Sequence, residues 1–340
     1  MRSLVNPRST DAVLLLAALA VTALYIAVSG GGFPLDDSWI HQTYARNLAE
    51  TGQWAFVPGV PSAASTSALY TVVLATGYTL GVPFALWTHG LGALALALTA
   101  LLGARMAGQI LPEVRYIGLV TGLTLVFAWH LVWAAASGME TMIFSLFTLL
   151  LIWLAWRELT ARSGALRDVL LRGGIFGVAA GLTTLTRPEG ALLVGLIGLA
   201  LLVARPNMTL RTVIIWGAAA VVTFLIVLTP YLLFNLEMTG GLLPDTAAAK
   251  RSFAEPIFAL GYLERLRMMI VPLLAGGQLL LIPGMIVFVI MLLRGVRTDR
   301  ARLLWLLPTV WGLALIALYA AWLPLPIQHG RYLIPALPAL

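Results

Sequence analysis

The sequence predicts an all-α protein, a polytopic bundle of transmembrane helices, and three observations predict it. Of its 340 residues, 60% are hydrophobic and only 10% are charged, where a soluble domain carries about 25% charged residues. Its mean hydropathy is +0.95. The apolar residues also fall into runs long enough to cross a bilayer. A spanning helix takes about 20 residues, so the chain has room for roughly ten.

The first run, 12–31, follows Arg2 and Arg8. It is long for the apolar core of a signal peptide and has no clean small-residue cleavage site, so it reads as an uncleaved first span. An outer loop follows over 32–83. In it Asp36 is placed to cap a short amphipathic helix, whose Ile40, Tyr44 and Leu48 repeat at i, i+4 and i+8. The segment 66–80 is apolar, but at about 1.5 Å per residue it reaches only about 22 Å, short of the roughly 30 Å hydrocarbon core. It reads as a re-entrant or interfacial helix. Runs at 84–104, 116–136, 141–157, 172–186, 190–204, 212–233, 268–292 and 303–322 bring the spans to nine. A second long outer loop covers 234–267. No repeat interrupts this pattern, and residues 1–340 read as a single transmembrane domain.

The net charge of +7 comes from 20 Arg and a single Lys scattered between apolar runs. No basic stripe forms, which excludes a nucleic-acid partner. Sorted by loop, the charge becomes an orientation signal. With 66–80 not crossing, fourteen of the 21 basic residues and five acids lie on one side, a net of +9. Seven basic residues and nine acids lie on the other, a net of −2. By the positive-inside rule the N-terminus is cytoplasmic and chemistry belongs to the outer face. Cysteine is absent, which removes disulfides, thiolate nucleophiles and Cys-bound metals.

Five outer constellations could carry that chemistry. Asp36 and Asp37 open the amphipathic helix, where the helix dipole favours ionised carboxylates and so suits a base, and His41 and Arg46 follow. Asp36 is the slightly stronger candidate, because an N-cap side chain points off the helix end. Ser65 and Thr66 lead into the second helix and either cap it or bind a sugar or phosphate. Glu140 and the Arg187–Glu189 turn are ionisable groups beside hydrocarbon, which suggests function; Arg187 pairs with Glu189 or Glu140, or faces an anion. The second outer loop holds Asp245 and the only lysine, Lys250, a compact partner for phosphate. His329 and Arg331 open the last apolar stretch and either snorkel or bind. The eleven tryptophans anchor helices or stack on sugars. Neither a metal-binding nor a nucleotide motif is present, so a nucleotide-sugar donor is disfavoured.

Taken in order, Asp36-Asp37 with Tyr44-Ala45-Arg46-Asn47-Leu48, then Ser65-Thr66-Ser67, Ser137-Gly138-Met139-Glu140, Arg187-Pro188-Glu189-Gly190, Leu243-Pro244-Asp245-Thr246 with Lys250, and Arg331-Tyr332-Leu333 resemble the integral-membrane GT-C glycosyltransferases. The resemblance is strongest to the branch of the mycobacterial terminal arabinofuranosyltransferase, next to protein O-mannosyltransferases and lipid A aminoarabinose transferases. It implies a GT-C-type bundle with two juxtamembrane helices in the first outer loop and a polyprenyl-phosphate sugar donor. The acceptor would be a glycan, a lipid or a protein. It implies transfer on the outer face of the plasma or inner membrane, with the acidic pair supplying the base. Members of that family continue with further helices and often an outer soluble domain, so the chain reads either as a piece of a longer protein or as one whose last apolar stretch, begun at Tyr332, stays in the outer leaflet.

The expected reaction is inverting. Asp36 or Asp37 deprotonates an acceptor hydroxyl, and Lys250, Arg187, Arg331 and His329 hold the departing phosphate. His41, Arg46, Ser65, Thr66, Glu140, Glu189 and Asp245 position substrate. No cofactor is required by the motifs, and a divalent cation stays open. The rival reading is a transporter or flippase, which would place its ionisable groups near the bilayer midplane in repeated halves.

Overall fold

The computed structural model describes residues 7–60, 62–161, 165–242, 246–296 and 298–340. Among these, helix is the only regular structure apart from one isolated bridge between Val57 and Val60. The chain divides into two compact units, one of residues 1–146 with 326–338 and one of 147–325 with 339–340.

The first unit begins with α1 (Pro7–Val28) and the juxtamembrane pair α2 (Asp36–Thr51) and α3 (Ala68–Thr79). The long α4 (Phe84–Ile110) follows, then α5 (Ile117–Phe127), α6 (Trp129–Ala136) and the first turns of α7 (Thr141–Thr160). The α2 helix buries His41, Gln42, Tyr44, Ala45 and Asn47. Its Ala45 packs with Tyr70, Leu74 and Ala75 of α3. The main core joins Leu96 and Ala100 of α4, Val126 of α5, Leu131 and Trp133 of α6, Met142 of α7 and Ile334 of the terminal segment, all under 5% exposed.

The second unit holds the rest of α7, then α8 (Leu166–Thr186), α9 (Gly190–Ala204) and α10 (Leu210–Thr239). The short α11 (Thr246–Phe253), α12 (Glu255–Phe258) and α13 (Tyr262–Ile270) lead to α14 (Ile282–Val296) and α15 (Leu307–Trp322). The α8 and α10 helices meet backbone to backbone. A Cβ at Gly177 would lie 2.1 Å from the Ala220 carbonyl oxygen, so only glycine fits this contact, the small-residue packing expected where lipid supplies no hydrophobic drive. Arg172 of α8 meets Glu158 of α7 at 3.1 Å, and the Trp156 indole donates to the Leu304 carbonyl at 2.6 Å.

Among the described residues, seven helices are long and apolar enough to cross a membrane. Large apolar side chains on them stay exposed, as in Leu280 at 84%, which makes them lipid-facing surfaces. Three of the nine expected spans differ from the simple reading. The run 116–136 is broken into α5 and α6, bent by 57°, because Ala128 adopts extended dihedrals between them. The α9 helix has only 15 residues, about 22 Å by the rise that makes α3 short. The run 268–292 is interrupted at Pro272 and Gly276, and the candidate span shifts to 277–296. Proline lacks the amide a continuous helix needs.

Candidate functional site

In the first unit, Asp36, Asp37 and Arg331 meet at the start of α2. Leu35, not Asp36, takes the N-cap position, with extended dihedrals and no side-chain cap. Asp36 is the first helical residue; it is exposed, and its Oδ1 accepts the Asp37 amide at 2.9 Å. Asp37 is half-buried and its Oδ2 accepts from Nη2 of Arg331, 294 residues away. Both carboxylates sit in the first turn, where the unpaired amides favour negative charge.

Arg331 is 3% exposed. Its Nη2 also reaches the Tyr332 hydroxyl at 3.1 Å. Its Nε and Nη1 are buried without a hydrogen-bond partner among the described residues. Burial works against the guanidinium charge, but Tyr332 and Asp37 outweigh it and keep the group protonated. A buried cation with two unused donor nitrogens is a ready site for an anion.

The three residues before Arg331 are all left-handed: Gln328 at φ 53°, His329 at 61° and Gly330 at 69°. Two non-glycine residues in that region are costly and hold only when the surroundings enforce them. Here they set the exposed His329 edge-on against Trp129 and Trp133, with centroids 5.1 and 5.3 Å away.

Beneath α2 lies a second polar cluster. His41 Nε2 is 3.4 Å from Glu140 Oε2, an ion-pair distance rather than a short hydrogen bond. His41 Nδ1 meets the Ser65 hydroxyl at 3.2 Å, and Ser65 meets Thr71 at 2.8 Å. The Ser38 hydroxyl donates to the Ser137 carbonyl at 2.8 Å and the Tyr70 hydroxyl to the Gly138 carbonyl at 2.9 Å. Burial and then the neighbouring Glu140 push the Tyr70 phenol well above its ordinary value, so it stays a donor. The turn needs glycine at 138, where φ is +74° and a Cβ would strike the Phe33 ring at 2.6 Å. Thr66 is half-buried and Arg46 lies exposed, away from the His41–Glu140 cluster.

In the second unit, Arg187 is 6% exposed and pairs with Glu189 at 3.2 Å. The Tyr319 hydroxyl donates to Glu189, and Arg187 reaches the same hydroxyl at 2.7 Å. Burial raises the Glu189 carboxyl, but Arg187 and Tyr319 more than offset this and hold it below its ordinary value. Lys250 lies half-buried on α11, and Asp245 falls outside the described residues. Among the described residues no group of three or more His, Asp or Glu could hold a metal ion.

Neither a family model nor a curated protein matches the sequence. Two crystal structures do match the backbone. ArnT from Cupriavidus metallidurans bound to undecaprenyl phosphate superposes with a TM-score of 0.65 at 18% identity, over 96% of this chain. The apo state of that protein gives 0.58 at 19% identity, over 95%. The chain has the fold of ArnT. It spans 58% of the length of those structures. The expected all-helical bundle, with two short helices between the first and second spans, is therefore the observed one. Ser38, Tyr70 and Thr71 join the polar cluster around His41 and Glu140 without having been singled out from the sequence. Hydroxyls flanking two acids and a histidine were the available signal.

Proposed function

We propose that the chain transfers a sugar from a polyprenyl-phosphate donor to an acceptor hydroxyl at the outer face of the membrane, with inversion. One observation carries the reading: the buried Arg331 guanidinium, with two unused donor nitrogens, held against a carboxylate at a helix N-terminus. The arrangement separates the two jobs of such a reaction. Asp37 takes the acceptor proton as its oxygen attacks the anomeric carbon. Arg331 meets the negative charge that builds on the leaving phosphate, where a dry surrounding strengthens the attraction. Asp37 is the stronger base candidate, since Asp36 is exposed and turns an oxygen toward the adjacent amide. His329, on its two tryptophans, adds a ring beside Arg331 for donor binding. That ArnT was crystallised with undecaprenyl phosphate supports the lipid-phosphate class of donor. For Arg187 and Lys250 the proposed role is also in donor use, and Lys250→Met is expected to raise KM for donor.

The test is transfer from a labelled polyprenyl-phosphate sugar in proteoliposomes. Asp37→Asn is expected to lose about 10²- to 10⁴-fold in rate, the range for general-base catalysis, and Asp36→Asn much less. Full activity in both variants would refute the base assignment.

A further inference from the structure

We infer that His41 and Glu140 are positioning residues, which set the direction of the Asp37 carboxylate and do not touch substrate. The inference rests on Asp37 as the base. His41 and Glu140 are 4% and 3% exposed, and their contacts face inward: Glu140 at 3.4 Å, Ser65 at 3.2 Å and the Tyr70 ring edge-on at 5.5 Å. His41 stands four residues after Asp37, one turn along the same helix face. Ser38, next to Asp37, is tied to Ser137 in the same turn that carries Glu140. The 137–140 turn thus grips α2 at two points within one turn after the base, and Tyr70 anchors that turn to α3 through Gly138.

A 16-residue amphipathic helix is marginal alone, so its rotation about its own axis is set by such contacts. Rotating α2 enough to part His41 from Glu140 also swings Asp37 away from Arg331. The brace therefore acts on chemistry through geometry.

Glu140→Gln, which keeps shape and removes charge, tests this in proteoliposomes. We expect kcat to fall by about 10- to 100-fold, the scale of a small misplacement, with KM for donor and acceptor unchanged. In an Asp37→Asn background, Glu140→Gln is expected to have no further effect, because a brace cannot misplace an absent base. A rise in KM at constant kcat would show direct substrate contact and overturn the inference. So would an unchanged kcat, or the same fold-loss in both backgrounds. Ser38→Ala, which removes one hydrogen bond of the same brace, carries an identical cycle if Glu140→Gln does not fold. Wild-type activity in Asp37→Asn alone would instead strike the base reading itself, a separate measurement.

Discussion

Replacing Arg331 by methionine should leave the ligand-free protein at least as stable as before while abolishing its response to lipid phosphate. The magnitudes follow from the surroundings of the guanidinium. Its two buried, unpartnered nitrogens carry a desolvation cost of about 1–3 kcal/mol each. Against this stands the pair with Asp37, whose side chain is 23% exposed, worth about 0–1 kcal/mol at such exposure. The hydrogen bond to Tyr332 adds about 0.5–1.5 kcal/mol. Methionine fills similar volume, and the Asp37 left behind is partly solvated, so the lost pair costs little while the desolvation of the guanidinium is relieved. The assay is thermal unfolding in detergent with and without undecaprenyl phosphate. A ligand at 100 times its Kd stabilises by about 2.7 kcal/mol, a clear upward shift expected for the wild type and absent in the variant. A variant that melts well below the wild type without ligand would show Arg331 to be part of the fold. A variant stabilised as strongly as the wild type would show that Arg331 does not meet the phosphate.

Two further outcomes are expected. Glu189 has a folded pKa below its ordinary value, so its stabilising contribution is complete above the unfolded carboxylate value and is lost as pH falls through the lower folded value. Melting temperature measured from pH 6 downward should therefore drop on entering the range below about 4.5, and Glu189→Gln should flatten that drop; an unchanged slope would refute the pairing with Arg187 and Tyr319. Gly177→Ala would place a methyl 2.1 Å from a backbone oxygen that cannot move aside; it should destabilise by about 1–3 kcal/mol, the cost of overpacking, and a neutral result in denaturant titration would refute the close contact of α8 and α10.

Six of the nine spans were legible because hydropathy alone selects them. The juxtamembrane pair was legible from length and from the spacing of Ile40, Tyr44 and Leu48. The bend at Ala128 was not, since neither Ala128 nor Trp129 carries the backbone signature of proline or glycine, and the buried 131–136 segment after it reads as a plain apolar run. The N-cap was misplaced by one residue: Asp36 has the right chemistry, but Leu35 is the residue with extended dihedrals. Of the partners the sequence offers Arg187, Glu189 lies at 3.2 Å, while the His41 partner of Glu140 stands out from no local pattern. That pairing depends on which helices are neighbours. The pairing of Asp37 with Arg331 lies still further out of reach, since its two ends are 294 positions apart.

The costly features of the first unit gather at one place. Gln328 and His329 are left-handed without being glycine, and the next side chain but one is a buried cation with unused donors. A fold selected only for stability would have little reason to keep either, since glycine at 328 and 329 and an apolar residue at 331 remove both costs. The strain and the unused donors explain each other if the segment exists to hold a charge ready for an incoming anion. On the proposed function, the left-handed turn would hold Arg331 inward and an incoming phosphate would complete its bonds. On this reading Gln328→Gly should relieve strain, raise stability and weaken lipid-phosphate binding together, because the freed loop no longer holds Arg331 in place. A glycine variant that gains stability and binds undecaprenyl phosphate as tightly as the wild type would separate the strain from the site.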